Sequence, residues 1–211
     1  ILCGDHIYKM DYSELLEFHV GMGADVTVST IEFPREAANS LGVLEVDSSE
    51  RIVGFEEKPA NPKALPSNPD FVLASMGIYV FRTDVLVRAL LEDAEADTNH
   101  DFGRNIIPSL IGNKKVYAYN FKDLNRKEAK YWRDVGTLDA YFDANMDLIA
   151  VDPQFNLYDQ EWPIRTYVRS HPPAKTVWAL EHEGRVGVAT NSILSPGSII
   201  SGGRVKNSII S

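Results

Sequence analysis

From Asn191 onward the chain repeats itself every six residues: Ile193, Ile199 and Val205 recur at that interval with small turn-forming residues between them. The intervening stretches are Ser195-Pro196-Gly197 and Ser201-Gly202-Gly203, and Lys206-Asn207-Ser208 follows the last anchor. A hexapeptide period with one apolar anchor per repeat is the mark of a left-handed parallel β-helix, in which each short rung packs its anchor into the coil. Such a coil is stable only against neighbouring coils. Ser211 falls within a repeat, so the expectation is that the helix continues beyond it. The competing reading is a pair of ordinary strands joined by Ser/Gly turns.

Upstream the pattern changes to strands alternating with helices. Asp11 is placed to cap a helix, with Glu14 three residues on as in a capping box, and Leu15, Leu16 and His19 lie near one face. Gly21-Met22-Gly23 ends that helix. Strands are expected over 25–33, 75–81 and 116–121, with a hairpin over 42–55 turning at Asp47-Ser48-Ser49-Glu50. Helices are expected over 84–91, over 101–111 with an interruption at Pro108, and after Thr137. In the last of these, Leu138, Tyr141, Phe142, Met146 and Ile149 form an apolar stripe. Alternation of this kind specifies an α/β fold with a Rossmann-like, mixed or parallel sheet. The expected organisation is an α/β domain over 1–167, a linker over 168–190 around Ser170-His171-Pro172-Pro173, and the β-helix over 191–211.

Ile1-Leu2-Cys3-Gly4-Asp5 reads as the end of a buried strand entering a Gly-Asp turn. Strands average about five or six residues, so further chain is expected before Ile1.

Composition removes several function classes. With 21 Lys+Arg against 30 Asp+Glu, the net charge of -9 disfavours non-specific binding to nucleic acid or an anionic membrane. No apolar run approaches the roughly 18 residues that span a bilayer. The single Cys3 permits no intrachain disulfide and fits a reducing cytoplasm. Five histidines and one cysteine offer no zinc spacing. There is no Walker loop and no Gly-x-Ser-x-Gly elbow.

A few residues remain as candidates for chemistry. Asp5 follows a strand, where open α/β sheets bind ligands, and a carboxylate there suits Mg²⁺ with phosphate oxygens. Asp134, in Tyr131-Trp132-Arg133-Asp134-Val135-Gly136-Thr137, is a second such carboxylate. Taken alone, Asp5 reads more readily as a turn or cap residue, and Asp134 too has that plain reading; meeting at one metal would raise the value of both. Lys58, entering the rigid loop at Lys58-Pro59, can present a point charge to a phosphate, and Glu57 beside it can accept hydrogen bonds from sugar hydroxyls. A solvated Glu-Lys pair is the plain alternative. Ser75-Met76-Gly77 has the small residues that let a ligand approach backbone, or let another strand pack closely.

In order, these motifs resemble those of the ADP-glucose pyrophosphorylases. The resemblance rests on Gly4-Asp5-His6-Ile7-Tyr8, Phe55-Glu56-Glu57-Lys58-Pro59, Ala74-Ser75-Met76-Gly77-Ile78-Tyr79, His100-Asp101-Phe102-Gly103, the Trp132–Thr137 stretch and Trp162-Pro163-Ile164-Arg165-Thr166-Tyr167. Glu-Lys-Pro is common to many sugar nucleotidyltransferases. The Trp-Arg-Asp-Val-Gly-Thr and Trp-Pro-Ile-Arg-Thr stretches are narrower.

The resemblance implies transfer of AMP from ATP to glucose 1-phosphate, giving ADP-glucose and pyrophosphate for glycogen or starch synthesis. It implies Mg²⁺ as cofactor held by Asp5 and Asp134, with Lys58 on the sugar phosphate. Glu57 and Ser75 would hold the glucose hydroxyls, with the Gly42 backbone nearby. It further implies an allosteric enzyme assembled as a homotetramer or heterotetramer. The family's glycine-rich nucleotide loop has no counterpart between Ile1 and Ser211, so these residues alone are expected not to turn over. The alternatives are a non-catalytic regulatory subunit of the same family, a nucleotidyltransferase for another base, and, last, an acyltransferase working through the β-helix.

Overall fold

The molecule divides into two compact units, each built from two stretches of chain. One unit comprises Ile1–Gly4 and Met10–Lys130, the other Asp5–Lys9 and Tyr131–Ser211. The computed structural model describes all residues except 124–127, 181 and 183. In chain order the elements begin with β1 (His6–Tyr8), which belongs to the second unit.

The first unit then runs α1 (Tyr12–Gly21), β2 (Val26–Pro34), β3 (Gly42–Val46), β4 (Ile52–Glu57), β5 (Phe71–Phe81) and α2 (Thr83–Ala94). α3 (Ile107–Leu110), β6 (Val116–Asn120) and the short pair β7 (Lys122–Asp123) and β8 (Glu128–Ala129) complete it. Five strands form one mixed sheet in the order β4-β3-β5-β2-β6, in which only the β2–β6 pair is parallel. β2 is buried from Val26 through Ile31 on both of its faces, which explains why its run of Val and Thr is nearly continuous. Val28, Leu44, Ile52, Leu73, Ile106, Ile107 and Val116 pack into the core around it. Each such side chain, fully buried, contributes on the order of 1.5–3 kcal/mol.

α1 docks onto this sheet through Leu15 and through His19, whose Nδ1 lies 2.8 Å from the Thr27 hydroxyl on β2. Asp11 caps it as expected, accepting from the Ser13 amide at 2.8 Å. Glu14 does not close a capping box; it accepts instead from the Tyr119 hydroxyl at 3.2 Å. Leu16 is half exposed, because the buried face runs through Leu15 and His19. Pro108 does not interrupt its segment. It sits in the first turn of α3, where its missing N–H is not needed, after a wider π-type turn over Phe102–Ile106.

The opening residues differ from expectation. Ile1 and Leu2 are about half exposed, not buried. Ile1 nevertheless trades two backbone hydrogen bonds with Tyr79, its nitrogen donating at 2.9 Å and its carbonyl accepting at 3.0 Å. β3 pairs with β5 only at Leu73 and Ala74, so Ile1 occupies the stretch of β5 that β3 leaves open.

In the second unit β1 pairs antiparallel with β9 (Trp132–Asp134), which is followed by α4 (Leu138–Asp147). Thr137 caps α4, its Oγ1 accepting from the Ala140 amide at 3.2 Å. The helix forms, but not on the expected stripe. Leu138, Tyr141 and Phe142 are exposed, and the buried residue is Ala144, whose small side chain permits close approach.

β10 (Lys175–Leu180), β11 (Arg185–Val186), β12 (Val188–Leu194), β13 (Ile199–Ser201) and β14 (Arg204–Ile210) follow. The rungs stack in parallel as a β-helix requires: β10 on β13, and β12 on β14 with Ile193 opposite Ile209. Rung pairing therefore starts at Lys175, inside the stretch 168–190 that reads as a linker. One anchor is displaced: Ile200 is buried and Ile199 exposed, neighbouring residues of a rung facing opposite ways, while Ile193 and Val205 stay part-buried. No helix among the described residues is long and apolar enough to cross a membrane.

Candidate active site

Each unit gathers some of the candidate residues. In the first, the β3–β4 ladder places Gly42 directly opposite Glu57. A Cβ on Gly42 would lie 2.6 Å from Cζ of Phe55 and 3.0 Å from Oε2 of Glu57, so this strand start must be glycine for the Glu57 carboxylate to fold over it. From the other side Gly103 closes in: a Cβ there would lie 2.5 Å from the same Oε2 and 3.4 Å from Oδ1 of Asp101. Asp101 is fixed by its own turn, where Oδ1 accepts from the Arg104 amide at 2.8 Å.

The partly buried Glu57 carboxylate and the exposed Asp101 carboxylate thus share one corner. Burial pushes the Glu57 carboxyl above its ordinary value and Asp101 adds to the rise, with Lys58 and Arg104 acting the other way. Hydrogen-bond donors brought by a ligand would relieve the repulsion between the two carboxylates.

Lys58 continues from Glu57 with φ 51°, left-handed backbone that a lysine rarely adopts. Its amide is held by the Leu41 carbonyl at 3.0 Å. The side chain is exposed, and among the described residues no carboxylate lies within ion-pair distance of its ammonium. The left-handed backbone leaves the Lys58 ammonium exposed, with the Glu57 carboxylate feeling its charge beyond contact distance.

Ser75 lies buried in β5 opposite Thr30, at a slip in the β2–β5 register where Gly77 takes φ +65°. The small residues read from the sequence therefore serve a bulge. The Ser75 hydroxyl accepts from the Gly77 amide at 3.2 Å and hydrogen-bonds Tyr79. Burial, above all, pushes the Tyr79 hydroxyl up to about 12, so it remains neutral. The Tyr79 ring stacks on Phe102 at 5.7 Å, and Phe102 lies between Asp101 and Gly103. Ser75 is thereby joined through Tyr79 and Phe102 to the turn that faces Glu57. By residue type alone Asp101, Phe102, Gly103 and Tyr79 carry no role. The signal was present in His100-Asp101-Phe102-Gly103, since an Asp cap followed by a glycine marks a tight turn.

In the second unit β1 and β9 bring Asp5 and Asp134 together. His6 is directly opposite Asp134, and the Val135 amide donates to the Asp5 carbonyl at 3.0 Å. Gly136 is the cradle between the two side chains. A Cβ on it would lie 3.1 Å from Oδ1 of Asp134 and 3.4 Å from Oδ2 of Asp5, so both carboxylates converge on one point. The Gly136 amide holds Oδ1 of Asp134 at 2.9 Å. Oxygen donors from two accessible carboxylates, with room made by a glycine, have the chemistry that a divalent cation such as Mg²⁺ takes. Behind Asp5 the buried His6 ring stands edge-on to Trp132 at 5.1 Å, its Nε2 3.7 Å from Oδ1 of Asp5. Trp162, in the Trp-Pro-Ile-Arg-Thr-Tyr stretch, lies beneath the Lys9 ammonium at 4.8 Å, and Arg165 lies in chain without regular structure.

A family model described as nucleotidyl transferase matches residues 1–151, which include every one of these residues except Trp162 and Arg165. The chain belongs to the nucleotidyl transferase family. A second model, described as GlmU-like C-terminal hexapeptide, matches residues 172–211, in agreement with rungs that begin at Lys175. The chain is similar along its whole length to curated relatives in this family. It is 53% identical to a glucose-1-phosphate adenylyltransferase of Koribacter versatilis, covering 51% of that protein. It is 52% identical to one of Rhodopirellula baltica, covering 48%, and 50% identical to one of Saccharophagus degradans, covering 49%. The chain thus spans about half the length of the curated relatives it matches.

Proposed function

We propose that the chain forms the sugar-phosphate and metal part of a glucose-1-phosphate adenylyltransferase, which joins ATP and glucose 1-phosphate into ADP-glucose and pyrophosphate. The observation that carries this reading is the Glu57 carboxylate set between Gly42 and Gly103, with Lys58 next to it on strained backbone. The names of the relatives point to the same substrates.

In the reaction a phosphate oxygen of glucose 1-phosphate attacks the α-phosphorus of ATP. The bond from that phosphorus to the bridging oxygen breaks, and pyrophosphate leaves. Glu57 accepts hydrogen bonds from the glucose hydroxyls, and Ser75 and the Gly42 backbone support the sugar. Lys58 places its ammonium on the sugar phosphate and so offsets the repulsion between two anionic reactants. Asp5 and Asp134 would hold Mg²⁺. When bound, the ion neutralises charge developing on the phosphates in the transition state. No side chain needs to form a covalent intermediate.

The same reading carries a cytoplasmic setting, consistent with a lone cysteine, and assembly as a homotetramer or heterotetramer. Exposed apolar side chains such as Val87 and Leu91 on α2 and Phe142 on α4 are available to such contacts.

Calorimetric titration with glucose 1-phosphate tests the proposal. Saturable binding is expected, and Lys58→Ala should weaken it by about 1.5–3 kcal/mol, the worth of a hydrogen bond to a charged group. Equal binding of mannose 1-phosphate, or indifference to Lys58→Ala, contradicts it. A nucleotide panel assayed for sugar-nucleotide formation separates adenylyl from uridylyl, guanylyl or thymidylyl transfer.

A further inference from the structure

Residues of β9 alternate between two faces. Trp132 and Asp134 share the face that meets His6. Arg133, and Tyr131 just before the strand, fall on the other. There a single atom holds both: Oδ2 of Asp147, the last residue of α4. Tyr131 donates its hydroxyl to it at 2.8 Å, and Arg133 donates Nε at 3.1 Å and Nη2 at 2.9 Å. The Arg133 guanidinium also lies 6.0 Å from the centre of the Tyr131 ring. Burial first, and then the bond to Asp147, push the Tyr131 hydroxyl up to about 12, so it donates throughout the working pH range.

The geometry bears on Asp134 itself. The stretch from Asp134 to α4 contains only Val135, Gly136 and Thr137, and Thr137 fixes its far end by capping the helix. Its near end is fixed by whatever sets the roll of β9 about its own axis. β1 supplies backbone pairing on one edge, and the Asp147 clamp supplies the side-chain restraint on the face opposite Asp134.

We propose that Asp147 is a positioning residue for Asp134: by gripping Tyr131 and Arg133 on the far face of β9, it fixes the direction in which Asp134 presents its carboxylate beside Asp5. The inference rests on the reading above that Asp5 and Asp134 hold a divalent cation. Groups that orient metal ligands from behind typically alter metal affinity by about 10–100-fold when changed.

The test is titration of Mn²⁺ alone into the metal-free protein, with free ion counted by electron paramagnetic resonance, alongside thermal unfolding. Asp147→Asn preserves shape and an acceptor for Tyr131 but removes the charge that Arg133 grips. Arg133→Lys preserves the charge but not the two-nitrogen fork. Each should raise the Mn²⁺ dissociation constant by about 10–100-fold, with the protein still folded at the titration temperature. Asp134→Asn should raise it at least as far. If Asp134→Asn weakens Mn²⁺ binding but both clamp variants leave it unchanged, the positioning role is overturned and the metal reading stands. If Mn²⁺ fails to bind, or binds regardless of Asp134→Asn, the metal reading falls and the positioning role falls with it. Should Asp147→Asn unfold the protein, Arg133→Lys decides by the same criterion.

Discussion

Glu57 and Gly103 compete for one space: Oε2 of the glutamate lies 2.5 Å from where a Cβ of residue 103 would be, and its carboxyl carbon 3.2 Å away. The glutamate can stand where it does only because residue 103 has no side chain. The carboxylate is the far end of a flexible side chain, so Gly103→Ala should move Glu57 and leave the fold in place. Affinity for glucose 1-phosphate is expected to fall by the worth of a charged hydrogen bond, about 1.5–3 kcal/mol. Calorimetry reads that loss, and a thermal midpoint close to that of the parent protein confirms that the effect is local.

The raised Glu57 carboxyl has a consequence for stability. Its folded-state value lies above the ordinary 4.5, so the folded protein binds this proton more tightly than the unfolded chain does. The stability linked to it is complete below 4.5 and is lost as pH rises through the folded-state value. Glu57→Gln removes that dependence. The thermal midpoint of the variant relative to the parent should therefore rise as pH is taken from 4 toward neutrality. A difference that stays flat or falls over this range contradicts the assigned direction.

Gly187 tests the β-helix. A Cβ on it would lie 2.1 Å from the Ile200 carbonyl oxygen and 2.8 Å from that of Val177, and backbone atoms cannot swing aside as a side chain does. Gly187→Ala should force the rungs β10 and β13 apart, at a cost of about 1–3 kcal/mol or more. Hydrogen exchange should speed up across Lys175–Leu180 and Ile199–Ser201 and remain unchanged across β2 and β5 of the first unit.

The contrast between these positions shows what could be read from the chain alone. The α/β alternation, the helix cap at Asp11 and the repeat near the end were legible because each depends on local rules of period and turn chemistry. Which apolar residues face inward on α4 was not, because that depends on what the helix packs against. Ala144 is chosen over Leu138 and Phe142 by its neighbours and not by hydrophobicity. That Ile200 and not Ile199 faces inward is likewise not given by the six-residue period.

At the candidate site, Asp5, Glu57, Lys58, Ser75 and Asp134 could be singled out by residue type and motif. The glycines that shape their surroundings stand in the same motifs, but residue type gives them no role. Gly103 and Gly136 acquire meaning only when the carboxylates folded against them are seen, and Asp101 only when it is found beside Glu57. Asp147 lies 13 residues beyond Asp134 in the sequence and carries no motif of its own, so nothing short of the folded β9–α4 geometry links them.

The most direct measurement of the central claim is an amide chemical-shift titration of the protein with glucose 1-phosphate. Saturable shifts are expected at Gly42, Glu57, Lys58, Ser75 and Gly103, and they should collapse in Lys58→Ala. Shifts that are absent, that gather away from these residues, or that persist undiminished in Lys58→Ala would contradict the account.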